Sequence, residues 1–468
     1  MTPGQQPLLT SSKPIFSQRT EEQVYNEINE YIYQKIKRPV DMDTRSHCWK
    51  SAQEIELSAK AGLECSRFSE SEILQISDRL GDFEKRWSTV ARTYIILHFI
   101  NHIDMLDNII EFDFNDYWLP ASQGQLPGLL NPAARTEFLR AQHVVLTKVT
   151  DLIDGCRNHK HFADHEQIPF EPISLLGFGG FAQVEKVVCK LDGNEYARKR
   201  IRRDISFKKT RTSMKSFITE LDILKKLDHH HIVKLVGSYT DPSYLVLLMS
   251  PVADCNLADY IANDVALLQK KRHVSTFFGC LASAIAYLHR SGIRHKDIKP
   301  QNVLVKGDNV LLTDFGLSRI SHGTAHSTTD GLTAKSSRYC APEVANYEPR
   351  NSSSDIWSLG CIFVEMVTVL KDCTVKSMWE YFESHGSGGL YYSDNLPASK
   401  GWFQALRSME PKSANDPLLW AEDMLQHERH LRPTAQALVK KIRYQSSYNA
   451  FCGSCCLGPS MTDTAITG

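Results

Sequence analysis

Two neighbouring runs decide the fold: residues 293–304, IRHKDIKPQNVL, and residues 313–316, TDFG. They place carboxylate and amide side chains, among them Asp297, Asn302 and Asp314, within a short stretch bounded by apolar residues. Motifs this short recur by chance when they are taken one at a time. Their meaning depends on which other motifs accompany them, in which order and at which spacing.

Four further short motifs flank these runs. Towards the C-terminus lie APE at residues 341–343, DIWSLG at 355–360 and RPT at 432–434. Towards the N-terminus, residues 176–184 read LGFGGFAQV between two predicted strands. Together with the first two runs they make six motifs in a consistent order and spacing, so chance agreement is negligible.

The glycine-rich run is a weak signal by itself. Glycines let the backbone approach a phosphate closely, with amide N–H groups directed at the anion, but an ordinary glycine-rich hairpin has the same composition. A Rossmann-type dinucleotide site needs a helix directly after the loop. Residues 184–190, VEKVVCK, predict a strand instead, which disfavours dinucleotide binding.

The spacing of apolar residues changes along the chain. Helical spacing dominates up to about residue 160, short β-rich runs follow from about residue 164, and helical spacing returns after Leu257. A β-rich lobe followed by a larger helical lobe predicts an α+β arrangement. The predicted segments are a flexible tail at 1–18, an all-α region at 19–165, an α+β domain at 168–444 and a cysteine-containing tail at 445–468. Within the all-α region, helices are predicted at 20–37, 51–65, 69–86, 90–110 and 133–156.

Composition excludes several classes of protein. Of 468 residues, 42% are apolar and 23% charged, which is ordinary globular composition and excludes a mostly disordered or collagen-like chain. Basic and acidic residues both number 54, so a globally basic nucleic-acid binder is not expected. The two most apolar runs, 93–103 and 276–289, are short for a membrane span and are predicted as buried helices.

The six motifs together resemble the eukaryotic protein kinase family, over about residues 168–444. Lys299, two residues after Asp297, is similar to the serine/threonine members, and the run MSPVADCNL at 249–257 has the look of fungal kinases. The resemblance implies a bilobal kinase fold preceded by an all-α region. It also implies transfer of the γ-phosphate of ATP, with Mg²⁺, to Ser or Thr of protein substrates.

The resemblance assigns a role to each polar residue. Asp297 would accept the proton of the substrate hydroxyl, and Lys299 would face the γ-phosphate. Lys199 would bind the α- and β-phosphates, held by an ion pair to Glu220. Asn302 and Asp314 would ligate Mg²⁺ through an amide and a carboxylate oxygen.

The nucleotide pocket and the interior are traced in the same way. The ATP-contacting residues would be Leu176, Gly177, Gly179, Ala182, Val184, Ala197, Lys199, Ser250, Val252 and Leu304. Met249 would stand at the back of the pocket, and Ser250 and Val252 would pair with adenine through the backbone. A column of Leu224, Leu235, Phe315 and His295 would link the lobes above Asp355, and Glu343 and Arg432 would form a buried ion pair.

Two positions depart from the family pattern. Ala182 replaces the third glycine of the loop, which many active members tolerate. Lys296 stands where an arginine usually precedes the catalytic aspartate. That arginine receives an activation-loop phosphate in two-pronged fashion, whereas lysine is a point charge, so activation by loop phosphorylation is in question.

The alternative class is a pseudokinase, a scaffold that keeps the fold without turnover. The five polar residues of phosphoryl transfer are all present, which favours the enzyme. For the all-α region, which carries no recognised motif, self-association, autoinhibition of the kinase and an adaptor role are the hypotheses.

The distribution of the cysteines along the chain indicates the cellular compartment. Nine lie singly between Cys48 and Cys373, as in a reducing compartment, and no signal peptide is predicted, so the expected location is intracellular and cytoplasmic. The other three, Cys452, Cys455 and Cys456, have three interpretations: an inert exposed tail, weak membrane anchoring through palmitoylation, or a metal site. The metal site is disfavoured because no further ligand follows in the sequence.

Overall fold

The computed structural model describes residues 21–36, 67–147, 159–163, 168–178, 182–204, 206–262, 267–316, 319–320, 338–389, 391–445 and 450–456. These residues form two compact units. The first holds the N-terminal residues up to Lys148 with two short later segments, His161–Glu166 and Ile205–Phe207, and the second holds the rest. The predicted helix at 51–65 and the predicted tail at 1–18 lie outside the described residues.

The first unit is helical, as predicted. Its α-helices are α1 (Glu21–Ile36), α2 (Glu70–Phe83), α3 (Ala91–Phe99), α4 (Leu106–Glu111) and α5 (Pro132–Ala141). Helix α2 begins where its sequence indicates: the Ser69 hydroxyl accepts from the Glu72 backbone, and the Glu72 carboxylate accepts from the Ser69 backbone at 2.7 Å. This reciprocal cap satisfies backbone donors that the first turn cannot pair internally.

Two predicted helices of this unit were too long. The predicted helix at 90–110 is interrupted after Phe99, because Asn101 adopts a left-handed backbone conformation with φ of 59°. Asparagine tolerates that conformation better than most residues, so the apolar periodicity continues across a break in the backbone. The predicted helix at 133–156 changes to a 3-10 turn, Gln142–Val145, directly after Ala141, and residues 148–156 lie outside the described part.

A buried aspartate caps helix α3 from a distance. Asp116 accepts hydrogen bonds from the backbone N–H groups of Arg92 and Thr93 at 2.7 and 2.9 Å. Burial raises its pKa, although these donors and the Arg92 charge favour the ionised form. Val90, the residue at the cap position, has no capping side chain, so Asp116 supplies the acceptor that the local sequence lacks.

The second unit contains the strands. They are β1 (His159–His161), β2 (Phe170–Phe178), β3 (Ala182–Cys189), β4 (Glu195–Arg202), β5 (Lys234–Thr240), β6 (Tyr244–Ser250), β7 (Cys255–Asn256), β8 (Ile293–Arg294), β9 (Val303–Lys306), β10 (Asn309–Leu312) and β11 (Arg319–Ile320). One sheet has the order β1-β5-β6-β4-β3-β2, a second β10-β9-β7, and a third β11-β8. The predicted β-rich lobe is thus confirmed as a six-stranded sheet.

Helices make up most of the remainder. They are α6 (Phe207–Leu224), α7 (Leu257–Ala262), α8 (Leu267–Arg290), α9 (Pro342–Ala345), α10 (Ser353–Leu370), α11 (Val375–His385), α12 (Leu396–Ser408), α13 (Asn415–Met424) and α14 (Ala435–Gln445). The spacing of apolar residues at 216–227 predicts a helix that carries Glu220, and helix α6 begins earlier, at Phe207. The predicted α+β, bilobal arrangement is confirmed.

Helix α10 is more apolar than either run singled out in the sequence. It alone among the described helices is long and apolar enough to cross a membrane, and 89% of it is buried within the protein. That burial is what the core helix of a folded lobe shows, since its whole circumference contacts other elements.

The described part of the C-terminal tail is packed against the second unit. Phe451 and Cys452 are 4% and 5% exposed. The Phe451 ring meets Phe278 of α8 and Trp420 of α13 edge-on, at centroid distances of 6.0 and 5.4 Å. The interpretation as an inert exposed tail is therefore wrong for Phe451 and Cys452, although Ser454 and Cys455 are exposed, because the sequence alone does not show that the Phe451 ring is buried against these helices.

The ion pair predicted between Glu343 and Arg432 is present and buried. Two parallel hydrogen bonds join the guanidinium to the carboxylate at 2.8 and 2.9 Å. The guanidinium also donates to backbone carbonyls of Gln426 and His427 and lies over the Trp357 ring, 4.9 Å from its centroid. Most donors of the buried cation therefore have acceptors, which is the condition under which a buried ion pair is tolerated.

Replacing Glu343 by Gln should destabilise the second unit by about 3–5 kcal/mol, because an unpaired guanidinium would stay buried. Urea unfolding followed by tryptophan fluorescence measures this. The matched control is Glu380→Gln, which breaks an exposed pair with Lys376 at 3.6 Å and should change stability by less than about 0.5 kcal/mol. Equal losses of stability in the two variants would show that the buried ion pair contributes no more than the exposed pair.

The surroundings of a second buried carboxylate, Glu365, raise its pKa towards 7. Glu365 of α10 is 1% exposed and accepts from the hydroxyls of Tyr339 and Tyr392 at 3.0 and 3.2 Å. Burial raises its pKa to about 7, against the smaller opposing effects of the two hydroxyls and of the Arg338 charge. The folded protein therefore binds a proton here that the unfolded chain has already released.

This raised pKa predicts that stability is full below the unfolded-state pKa and falls as pH rises towards 7, by about 3 kcal/mol in total. Glu365→Gln cannot ionise and should show a smaller loss between about pH 5 and about pH 8. Urea unfolding of both proteins at the two pH values measures the difference. Identical pH profiles would mean that Glu365 does not titrate in this range.

Candidate active site

Strand pairing places several predicted ATP-contacting residues on one face of the six-stranded sheet. Val184 of β3 pairs with Lys199 of β4, and Ala197 of β4 pairs with Met249 of β6. Directly paired residues share a face, and so do residues two apart along a strand, so all four lie on the same side. The opposite face carries a buried ion pair between Arg198 and Glu185 at 2.9 Å.

Three charged side chains meet beneath this face. The Lys199 ammonium lies 2.7 and 2.9 Å from the two carboxylate oxygens of Glu220 on α6. It also lies 3.0 Å from a carboxylate oxygen of Asp314 in the TDFG run. The predicted partner Glu220 and the predicted metal ligand Asp314 thus both contact Lys199, from which they are separated by 21 and 115 residues of sequence.

This cluster shifts the pKa values of its members in the directions that keep them charged. Burial disfavours the Lys199 ammonium, but Glu220 and then Asp314 outweigh that effect and raise its pKa. Burial also acts against the charge of Asp314, and Lys199 more than compensates, so its pKa is lowered. The site therefore presents a fixed cation beside a fixed, half-exposed carboxylate.

The loop between β8 and β9 gathers the remaining polar residues. The Lys299 ammonium donates to a carboxylate oxygen of Asp297 at 2.8 Å. The Asn302 amide nitrogen donates to the same carboxylate at 2.9 Å and to the Asp297 carbonyl at 2.8 Å. Both donors of the Asn302 amide thus turn towards Asp297, which leaves the amide oxygen as the atom able to bind a metal.

Asp355 of α10 holds this loop by its backbone. Its carboxylate accepts from the N–H groups of His295 and Lys296 at 3.0 and 2.9 Å. Lys296 adopts a left-handed conformation with φ of 68°, a strained state for a lysine that these bonds stabilise. His289 of α8 donates from Nε2 to the Asp355 carboxylate at 2.9 Å. No motif in the sequence indicates this contact, because His289 lies at the end of a long apolar helix.

Phe315 and His295 form the lower part of the predicted column. Both side chains are fully buried, with ring centroids 4.9 Å apart. His295 Nε2 also lies 3.0 Å from the carbonyl oxygen of Thr313. These contacts fix the backbone on both sides of Asp314, which has φ of 65°. Leu224 is buried as predicted, and Leu235 is half-buried opposite Met249.

Apart from Gly179, the other predicted ATP-contacting residues lie on β2, β3 and β9 and at or just after the end of β6. Leu176 is exposed on β2, Gly177 pairs with Val184, and Ala182 pairs with Ile201. Ser250 ends β6, Val252 is buried just after it, and Leu304 is half-buried on β9. Gly179 lies outside the described residues, as do residues 321–337.

The comparison with protein families agrees with this geometry. The protein kinase domain family matches residues 170–442, which is more than half of the chain. The chain therefore belongs to the protein kinase domain family.

Curated relatives match over parts of their length. Serine/threonine-protein kinase RAD53 of Saccharomyces cerevisiae is 34% identical over 212 residues, which are 42% of this chain and 24% of that protein. Serine/threonine-protein kinase 33 of Bos taurus is 30% identical over 240 residues, 47% of this chain and 46% of that protein. Death-associated protein kinase 2 of Homo sapiens is 32% identical over 192 residues, 40% of this chain and 51% of that protein. The matches thus span about half the length of these relatives or less.

Replacing Asp355 by Asn should destabilise the loop that carries Asp297. An amide would turn a donor towards one of the two backbone N–H groups, which costs about 1–3 kcal/mol for a buried unpaired donor. Urea unfolding measures the loss, with the exposed turn residue Asp308 changed to Asn as the control. An Asp355→Asn protein as stable as the control would show that the loop holds its shape without this anchor.

Proposed function

We propose that this chain is a serine/threonine protein kinase that transfers the γ-phosphate of ATP to hydroxyl groups of protein substrates. The observation that carries the proposal is the assembled charge cluster: Lys199 contacts both Glu220 and Asp314 in one structure. Phosphoryl transfer depends on positioning and charge neutralisation more than on covalent chemistry, and it needs this ion pair in place.

The residues at the site fit a magnesium requirement. Mg²⁺ prefers oxygen ligands, and Asp314 supplies a carboxylate while Asn302 supplies an amide oxygen. Hydrogen bonding by Asn302 to Asp297 orients that oxygen away from the catalytic carboxylate. When bound, the metal neutralises phosphate charge. Lys199, held by Glu220, supplies a further fixed positive charge for the phosphates.

Asp297 is positioned for the substrate hydroxyl. It is 7% exposed, and two donors, Lys299 and Asn302, hold its carboxylate at 2.8 and 2.9 Å. A carboxylate in this place orients the hydroxyl and accepts its proton as the bond to phosphorus forms. Lys299 lies beside it, so its charge faces the same reaction centre. The choice of Ser and Thr over Tyr is proposed from Lys299 and from the names of the relatives.

The test is phosphoryl transfer from labelled ATP with Mg²⁺, to a generic basic protein and to the chain itself. Label should appear on Ser or Thr in phosphoamino-acid analysis. Asp297→Asn should lower the rate by about 100-fold or more, because general-base and orienting contributions are that large. Asp314→Asn should abolish transfer and weaken the Mg²⁺ dependence of ATP binding.

The exposed residue Asp308 provides the matched control, and Asp308→Asn should transfer label at the wild-type rate. Label that persists equally in both active-site variants would point to a contaminating kinase and overturn the proposal. No transfer by the wild type, with ATP still raising its unfolding temperature, would favour the scaffold instead.

A further inference from the structure

Four metal-binding side chains converge beside β10, none of them a residue of the phosphoryl-transfer motifs. They are His231, which precedes β5, Cys280 of α8, and Cys455 and Cys456 of the C-terminal tail. Their ligand atoms all lie within 4.8 Å of one another. The sequence analysis disfavoured a metal site here because no ligand follows Cys456. The structure corrects that expectation, since the missing ligands come from positions more than 170 residues earlier.

The distances suit one tetrahedral ion. Cys280 Sγ and Cys455 Sγ are 3.9 Å apart, and His231 Nε2 lies 3.3 Å from Cys455 Sγ and 3.1 Å from Cys456 Sγ. Ligands around a tetrahedral zinc ion, with ordinary Zn–S and Zn–N bond lengths, lie about 3.5–3.8 Å apart. The observed separations bracket that range, and none of the described cysteines forms a disulfide.

The hydrogen bonding of His231 selects the tautomer that can bind a metal. His231 is fully buried, and its Nδ1 lies 2.9 Å from the carbonyl oxygen of Val310. A carbonyl can only accept, so Nδ1 carries the proton and Nε2 directs its lone pair at the sulfurs. A hydrogen bond from the other ring nitrogen to a backbone carbonyl is the usual outer support of a zinc-bound histidine.

The backbone of the C-terminal tail places Cys455 and Cys456 beside the other two ligands. The Gly279 N–H donates to the Phe451 carbonyl at 2.8 Å, and a Cβ at position 279 would lie 2.7 Å from that oxygen. Only glycine therefore permits this approach of the tail to α8. A turn at Ser454–Cys456, closed by the Cys456 N–H on the Gly453 carbonyl at 3.0 Å, then places the last two sulfurs beside Cys280 and His231.

We infer that His231, Cys280, Cys455 and Cys456 form a structural Zn²⁺ site that fastens the C-terminal tail to the kinase unit. Three thiolates and one imidazole favour zinc among the common divalent metals. Four protein ligands leave no open position for a substrate, which is the pattern of a structural site. The inference is independent of the proposed kinase activity.

The test is the zinc content of the full chain, purified under reducing conditions and dialysed, measured by inductively coupled plasma mass spectrometry. The wild type should hold about one zinc per chain. The double variant Cys455→Ser/Cys456→Ser should hold almost none, and it should fold because Cys455 is exposed and Cys456 half-buried. The control Cys373→Ser, a half-buried cysteine outside the cluster, should keep the wild-type content.

Two further measurements do not depend on purification history. A strong chelator should lower the unfolding temperature of the wild type and of Cys373→Ser, and leave that of the double variant unchanged. Cobalt(II) added to the metal-stripped wild type should give the visible absorption of tetrahedral thiolate coordination. A wild type that binds neither zinc nor cobalt, a double variant that retains zinc, or a disulfide between Cys280 and Cys455 found by peptide mapping under reducing purification would overturn the inference.

Discussion

The carboxylate of Asp355 is the constraint on which the loop that carries Asp297 depends. It accepts two consecutive backbone N–H groups, those of His295 and Lys296, and a third donor, His289. Burial works against its charge, but the hydrogen bond and charge of His289 lower its pKa, so it stays ionised where an ionised acceptor is needed. The strained backbone at Lys296, directly before Asp297, is stabilised by this acceptor.

A second set of contacts joins the sheet to the helices of the same unit. Lys199 on β4, Glu220 on α6 and Asp314 after β10 come from three elements, and the Lys199 ammonium holds both carboxylates through opposite charge. Phe315 follows Asp314 directly and is buried against His295. The ion pair with Lys199 and the ring contact of Phe315 therefore fix Asp314 together. A change at either contact should shift Asp314, the proposed metal ligand.

Much of the kinase unit could be predicted from the sequence because its motifs have fixed local geometry. Alternation along β3 and β4 places Val184, Ala197 and Lys199 on one face once those runs are read as strands. Helix breaks were harder to predict, since Asn101 changes the backbone but leaves the apolar periodicity intact. The cysteine and histidine cluster could be predicted only in part: the tail cysteines suggest a metal site as one interpretation, but only tertiary packing brings His231 and Cys280 to them.

One strand of the six-stranded sheet lies before the family likeness begins. Strand β1, His159–His161, is the neighbour of β5 at the sheet edge, and His159 Nδ1 lies 2.9 Å from the Ser238 hydroxyl. A fragment cut at residue 170, where the family match starts, would leave the outer N–H and C=O groups of β5 without this cover. Uncovered edges pair with other chains, so such a fragment would be prone to aggregate, and the segment before residue 170 protects this edge of the sheet.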